Sequence, residues 1–166
     1  MLNLPTEAPD SLEIVSPGKT SVTSYLECRV GDRRIAVPMQ AVERIADLQV
    51  VASPPLGAPW LRGLAMHRDA ILPLVDIGDA AATTPTAEGG GARQRCLVLR
   101  GASTATAFCL SVTRVLSLLQ VECDAAAATA SPLVAGRDPQ GGEVFVLRPD
   151  VVQRALHATS SGGGSW

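Results

Sequence analysis

At 166 residues the chain has room for one domain, or for two small ones packed closely together. Apolar residues make up 46%, enough for a globular core, while aromatics are 3% and the net charge is -2. With no basic block to meet phosphates and few aromatic faces to stack bases, the composition argues against a nucleic-acid partner. No run approaches the roughly 18 apolar residues that a spanning helix needs. The N-terminus also lacks a cationic start followed by an apolar stretch. The expectation is a cytoplasmic protein with no direct membrane insertion.

Residues 1–22 are rich in Pro, Ser, Thr and Glu without a sustained period, and read as a flexible tail. A strand begins near Ser24, with Tyr25, Glu27 and Arg29 on one face and Leu26, Cys28 and Val30 on the other. Gly31-Asp32-Arg33 turns it into a return strand, Arg34 to Val37, which Pro38 ends. Met39 to Ile45 carries apolar residues at helix-like spacing and predicts a short helix or turn. Leu48 to Val51 is again extended, and three prolines between Ser53 and Pro59 demand a loop.

Pro59 to Ile77 is the most informative stretch: PWLRGLAMHRDAILPLVDI. It reads as a hairpin with a polar four-residue tip, Met66-His67-Arg68-Asp69, between two apolar strands. Trp60 is expected to seal one end of the unit that this hairpin builds. Residues 78–94, small and Gly-rich, read as a linker. A second hairpin is predicted from Arg95 to Val112 and a further strand from Val115 to Val121. Asp124 to Gly142 reads as mostly loop, and Val144 to Leu147 as a short strand. Pro149 and Asp150 suit the start of a helix reaching about His157, with a tail over 158–166. Val42-x-Arg44-Ile45-x-x-Leu48 is echoed by Val112-x-Arg114-Val115-x-x-Leu118, suggesting two similar β units over about 23–77 and 95–150.

Catalytic and ligand motifs are missing from the sequence. Cys28, Cys96, Cys109 and Cys123 stand singly, with no histidine at metal-ligand spacing, and read as small buried hydrophobes. Gly89-Gly90-Gly91 lacks a P-loop frame, and no nucleophile elbow or zinc-protease motif occurs. The reading assigns no catalytic residue, no metal site and no cofactor. Arg68 is the leading binding candidate, because a guanidinium fork clamps a carboxylate or carbonyl bidentately. His67 is expected to be an exposed tip residue able to tune docking by titration.

The order of elements, with Pro59-Trp60-Leu61-x-Gly63, Arg68 and Ile71-Leu72-Pro73-Leu74-Val75-Asp76, resembles the CheW-like domain over about 23–157. That family includes the chemotaxis coupling protein and the regulatory domain of the CheA histidine kinase. The resemblance implies a mainly β fold: two small SH3-like five-stranded barrels packed together, with short helices including a C-terminal one. It implies a non-enzymatic adaptor joining the cytoplasmic tip of methyl-accepting chemoreceptors to a CheA-type histidine kinase. It also places a turn from Val42 to Arg44 near the receptor groove. Arg68, His67, Val42 and Arg44 are thus the expected receptor contacts. The chain departs from the family's usual Asn-Leu-Arg-Gly tip, keeping only its arginine. A related module in a pilus-motility pathway and a small β-barrel ligand-binding protein are the alternatives.

Overall fold

The computed structural model of the chain describes residues 23–52, 59–78, 93–101, 106–123 and 131–161. The expected tail over 1–22, most of the expected linker, and residues 162–166 lie outside the described residues. The strands are β1 (Ser24–Val30), β2 (Arg33–Pro38), β3 (Val42–Ala52), β4 (Leu61–His67) and β5 (Ala70–Val75). They continue as β6 (Arg93–Leu99), β7 (Phe108–Ser111), β8 (Arg114–Gln120), β9 (Glu122–Cys123), β10 (Leu133–Arg137) and β11 (Glu143–Leu147). A helix, α1 (Pro149–Ser161), follows the last strand. The fold is mainly β, as expected.

Strands β3-β4-β5-β7-β6 form a closed barrel. The rest form a sheet in the order β8-β1-β2-β11-β10-β9. Strands β8 and β9 lie at its two margins, yet only Val121 separates them in the chain. One bent segment therefore brings this sheet back on itself as a second barrel. In the first barrel β3 plays that part, pairing with β6 along most of its length and with β4 at its end.

The two barrels do not coincide with the two expected units. Hairpin β1–β2 belongs to the first unit in sequence, yet β1 pairs antiparallel with β8 and β2 pairs parallel with β11. Hairpin β6–β7 belongs to the second unit, yet β6 pairs antiparallel with β3 and β7 parallel with β5. Each repeat donates its leading hairpin to the other's barrel. The expected boundaries at 77 and 95 do not separate the barrels.

Several local expectations need correction. Met39 to Ile45 is not a single turn: one 3-10 turn covers Met39–Ala41, and Val42 already starts β3. Residues 93–94, counted as linker, open β6, and β10 lies in the presumed loop before Gly142. Helix α1 runs on to Ser161, past His157. The echoed motif falls on β3 and β8, but the β1–β8 register slips between Leu26 and Cys28. That bulge adds a residue to β8. Leu119 consequently takes the inward place that Leu48 has in β3, and Leu118 is turned out to 66% exposure.

Strict period-two alternation builds three cores. Leu48, Ala65, Leu72, Leu74, Cys96, Val98 and Cys109 fill the first barrel. Tyr25, Ala36, Val144 and Val146 fill the second. The largest cluster lies between them, where Leu26, Cys28, Ile35 and Val37 from β1–β2 meet Leu97, Leu99, Phe108 and Leu110 from β6–β7. Strands of the exchanged hairpins are covered on both faces, so they read as continuous apolar runs such as Cys96-Leu97-Val98-Leu99. Each fully buried Leu, Ile or Phe contributes roughly 1.5–3 kcal/mol, so the layer between the barrels dominates cohesion. Trp60 packs, half-buried, against this layer rather than sealing the end of a barrel.

One polar cluster ties the exchanged hairpin into the second barrel. Arg34 on β2 donates from Nε to Glu27 of β1 at 2.7 Å and from Nη2 to Asp138 at 2.9 Å. Asp138 lies in the β10–β11 turn, where its Oδ1 accepts from the Gly142 and Gln140 amides at 2.7 and 2.9 Å. Those amides, chiefly that of Gly142, and then Arg34 hold its carboxyl below the ordinary aspartate range. A carboxyl depressed on folding contributes stability that is complete above its unfolded value and lost as pH falls through the folded one. The urea midpoint should therefore hold as pH is lowered from 7 and start to drop near pH ~4. Asp138→Asn should flatten that acid limb, and an unchanged limb would show that Asp138 does not drive it.

Where each long strand bends, a glycine lets it pass. A Cβ on Gly63 would lie 2.5 Å from the Ala52 carbonyl oxygen of β3. A Cβ on Gly136 would meet Val121 Cγ1 at 2.8 Å and the Glu122 oxygen at 3.2 Å, at the matching corner of the second barrel. Gly63→Ala should destabilise by about 1–3 kcal/mol through backbone displacement, read as a lowered urea midpoint at unchanged slope. A shift under about 0.5 kcal/mol, typical of a surface change, would mean that β3 and β4 separate freely.

Candidate functional site

The β4–β5 hairpin closes with a two-residue loop, Arg68-Asp69, since His67 pairs directly with Ala70. The tip is thus two residues rather than four. Arg68 is exposed and sits at φ 54. The β1–β2 hairpin has the same two-residue loop, between Val30 and Arg33, and there Gly31 takes the left-handed position at φ 59. Such loops favour glycine at this place because a Cβ crowds the backbone. Arg68 therefore carries strain that Gly31 avoids.

His67 departs from expectation. Its side chain is 9% exposed, turned inward like Gly63 and Ala65, and not displayed at the tip. Its Nε2 has no hydrogen-bond partner, and Glu43 Oε1 of β3 stands 4.0 Å away, beyond hydrogen-bond reach. That approach brings the tip beside the start of β3. Val42 there is half-buried against the layer between the barrels, whereas Arg44 is exposed. Both lie in extended strand, so the expected Val42–Arg44 turn is absent.

The outer face of the hairpin is apolar. β4 turns Gly63, Ala65 and His67 inward and leaves Leu64 and Met66 outside. β5 turns Leu72 and Leu74 inward and leaves Ile71 and Pro73 outside. The register sets Leu64 opposite Pro73 and Met66 opposite Ile71, with Met66 46% and Ile71 59% exposed. This two-by-two patch ends at Arg68. The β3 strand adds Ile45, 47% exposed, beside the surface pair Asp47–Arg95 at 3.0 Å. Cross-strand apolar pairs beside a projecting arginine are chemistry for docking a protein.

Neither reactive thiols nor a metal cluster accompany this surface. Burial pushes the thiols of Cys28, Cys96 and Cys109 up to about 12, so they stay protonated. All four cysteines are free, and Cys123 is only half-buried. Among the described residues no group of three or more His, Cys, Asp or Glu could hold a metal ion. No helix among them is long and apolar enough to cross a membrane.

Two interlocked barrels with an exposed apolar hairpin and an arginine tip define a protein-docking module. The chain belongs to the CheW-like domain family, whose model matches residues 24–153. Among solved structures it is similar to the scaffolding protein TtCheW from Thermoanaerobacter tengcongensis, with a TM-score of 0.56 at 12% identity. That likeness covers 76% of this chain and 88% of the other. No curated protein matches the chain.

Sequence reading singled out Arg68 at the tip but not the exposed Met66–Ile71 pair or the approach of Glu43 to His67. The alternation in Gly63-Leu64-Ala65-Met66-His67 was visible, but large apolar residues are normally assigned inward. Here Gly63 and Ala65 take two of the inward places, and at Gly63 the β3 backbone leaves no room for a Cβ. Arg68→Gly relieves the left-handed strain and should raise stability by about 1 kcal/mol, measured by urea unfolding. A loss of stability would show that the arginine side chain supports the fold.

Proposed function

We propose that the chain is a non-enzymatic cytoplasmic scaffold coupling the cytoplasmic tip of chemoreceptors to a CheA-type histidine kinase. The observation that carries this reading is Arg68, an exposed arginine held at φ 54 where glycine would be relaxed, at the end of the Met66–Ile71 apolar patch. Strain kept at an exposed turn points to a use for that side chain. The guanidinium fork supplies bidentate recognition of a carboxylate or carbonyl, and the patch supplies desolvated contact around it. Arg44 on β3 is exposed, His67 is buried beside the tip, and Val42 is half-buried against the layer between the barrels.

Calorimetric titration of purified receptor and kinase fragments tests this assignment. Arg68→Ala should weaken receptor binding at least tenfold, about 1.4 kcal/mol or more, without lowering the melting temperature. Arg68→Lys should restore binding only in part, since an ammonium lacks the fork. Kinase binding should change less. Unchanged receptor affinity in the folded alanine variant would remove the tip from the receptor contact.

A further inference from the structure

We propose that Arg29 and Arg114, side by side at one end of the second barrel, form a docking site for a partner helix that presents two carboxylates one turn apart. Strand β1 turns Tyr25, Glu27 and Arg29 to the same side, and Tyr25 packs inside the barrel. Arg29 comes last of the three and is exposed at the rim. The register sets Arg114 of β8 opposite Arg29 on one flank and Arg34 of β2 opposite it on the other. Directly opposed residues share a face, so three arginines stand abreast. Elsewhere in the described strands, every registered pair of charged residues joins opposite signs: Asp47 with Arg95, and Arg137 with both Glu122 and Glu143. Only the arginine row opposes like charges, an arrangement that works against folding.

Arg34 shows what the row selects. It takes two carboxylates, Glu27 at 2.7 Å and Asp138 at 2.9 Å. Among the described residues, the side chains of Arg29 and Arg114 form no ion pair and no hydrogen bond. Their backbones are nevertheless held. The Thr113 amide donates to the Arg29 carbonyl at 2.8 Å, and the Gly31 amide donates to Thr113 Oγ1 at 3.1 Å. Two fixed, uncompensated guanidinium groups call for two carboxylates from outside. Directly opposed residues on antiparallel strands lie roughly 5 Å apart at Cα. A helix sets its i and i+4 side chains about 5–6 Å apart, whereas a strand sets same-face neighbours roughly 7 Å apart. An acidic helix face is therefore the closer fit. The site belongs to the second barrel, whereas Arg68 tips a hairpin of the first, so the inference does not depend on receptor binding there.

The probe is an alanine-based helical peptide with Glu at i and i+4, added to the isotope-labelled full chain and followed by magnetic resonance. Amide signals of β1 and β8 should shift, and binding should weaken as salt rises past about 0.1 M, where the Debye length is roughly 10 Å. The same peptide with Gln for Glu should leave both strands unshifted. Arg29→Ala combined with Arg114→Ala should cut the affinity roughly tenfold or more. The melting temperature should hold or rise, since opposed like charges are removed. If that variant does not fold, Arg114→Glu decides: it gives Arg29 an opposite charge across the strands and should abolish binding of the Glu peptide. No binding by the wild type at millimolar peptide, equal binding of the Gln peptide, or undiminished binding by a folded variant overturns the proposal. Shifts in β1 and β8 caused by inorganic phosphate but not by the peptide also overturn it, and assign the pair to a small anion.

Discussion

The structure depends on the apolar layer between the barrels, and that layer exists because the two repeats trade hairpins. A hairpin that stayed with its own repeat would present one face to its barrel and the other to water. Here Leu97 and Leu99 leave the first barrel to meet Leu26 and Cys28 leaving the second, while Cys96 and Val98 stay inside. Strand alternation thus serves two cores at once. Separating the barrels would expose both inner hairpin faces and open both barrels. The two are one cooperative unit.

That arrangement also frees the outer strands for other work. The exchanged hairpins carry most of the burial, so β4 need not supply bulk to its barrel. It places Ala65 inside together with Gly63, where the Ala52 carbonyl of β3 lies too close for a Cβ. The alternation then has nowhere to put Leu64 and Met66 except outside. The exposed apolar face of β4 lies behind that close approach at Gly63.

Much of this was legible in the residues. Hairpins, the proline-ended β2 and the short β11 followed from turn residues and alternation, and the unbroken motif from Pro59 to Asp76 carried the family. The pairing between strands distant in sequence was not legible, because alternation fixes which face a residue takes and not which strand lies beside it. The repeat suggested two units, and adjacency in sequence made self-contained barrels the natural assumption. The bulge in β8 defeated the ungapped echo of Leu48 by Leu118 for the same reason: a bulge is a property of the pair, β1 with β8. His67 was misread because a polar residue next to a turn normally faces water.

The tip departs from local optimisation in two adjacent places. Arg68 holds a left-handed backbone, and His67 buries a ring nitrogen without a partner. A strained turn and an orphaned buried nitrogen each cost on the order of 1–3 kcal/mol, a substantial share of a small domain's net stability. Gly31 shows that the same loop geometry is available without strain in the same chain. The barrels that interlock beneath the tip supply the stability against which such costs can persist. A rigid double-barrel frame and a locally unfavourable tip are then two parts of one design. The frame fixes the position of β4 and β5, and the tip carries an arginine where folding would have chosen glycine.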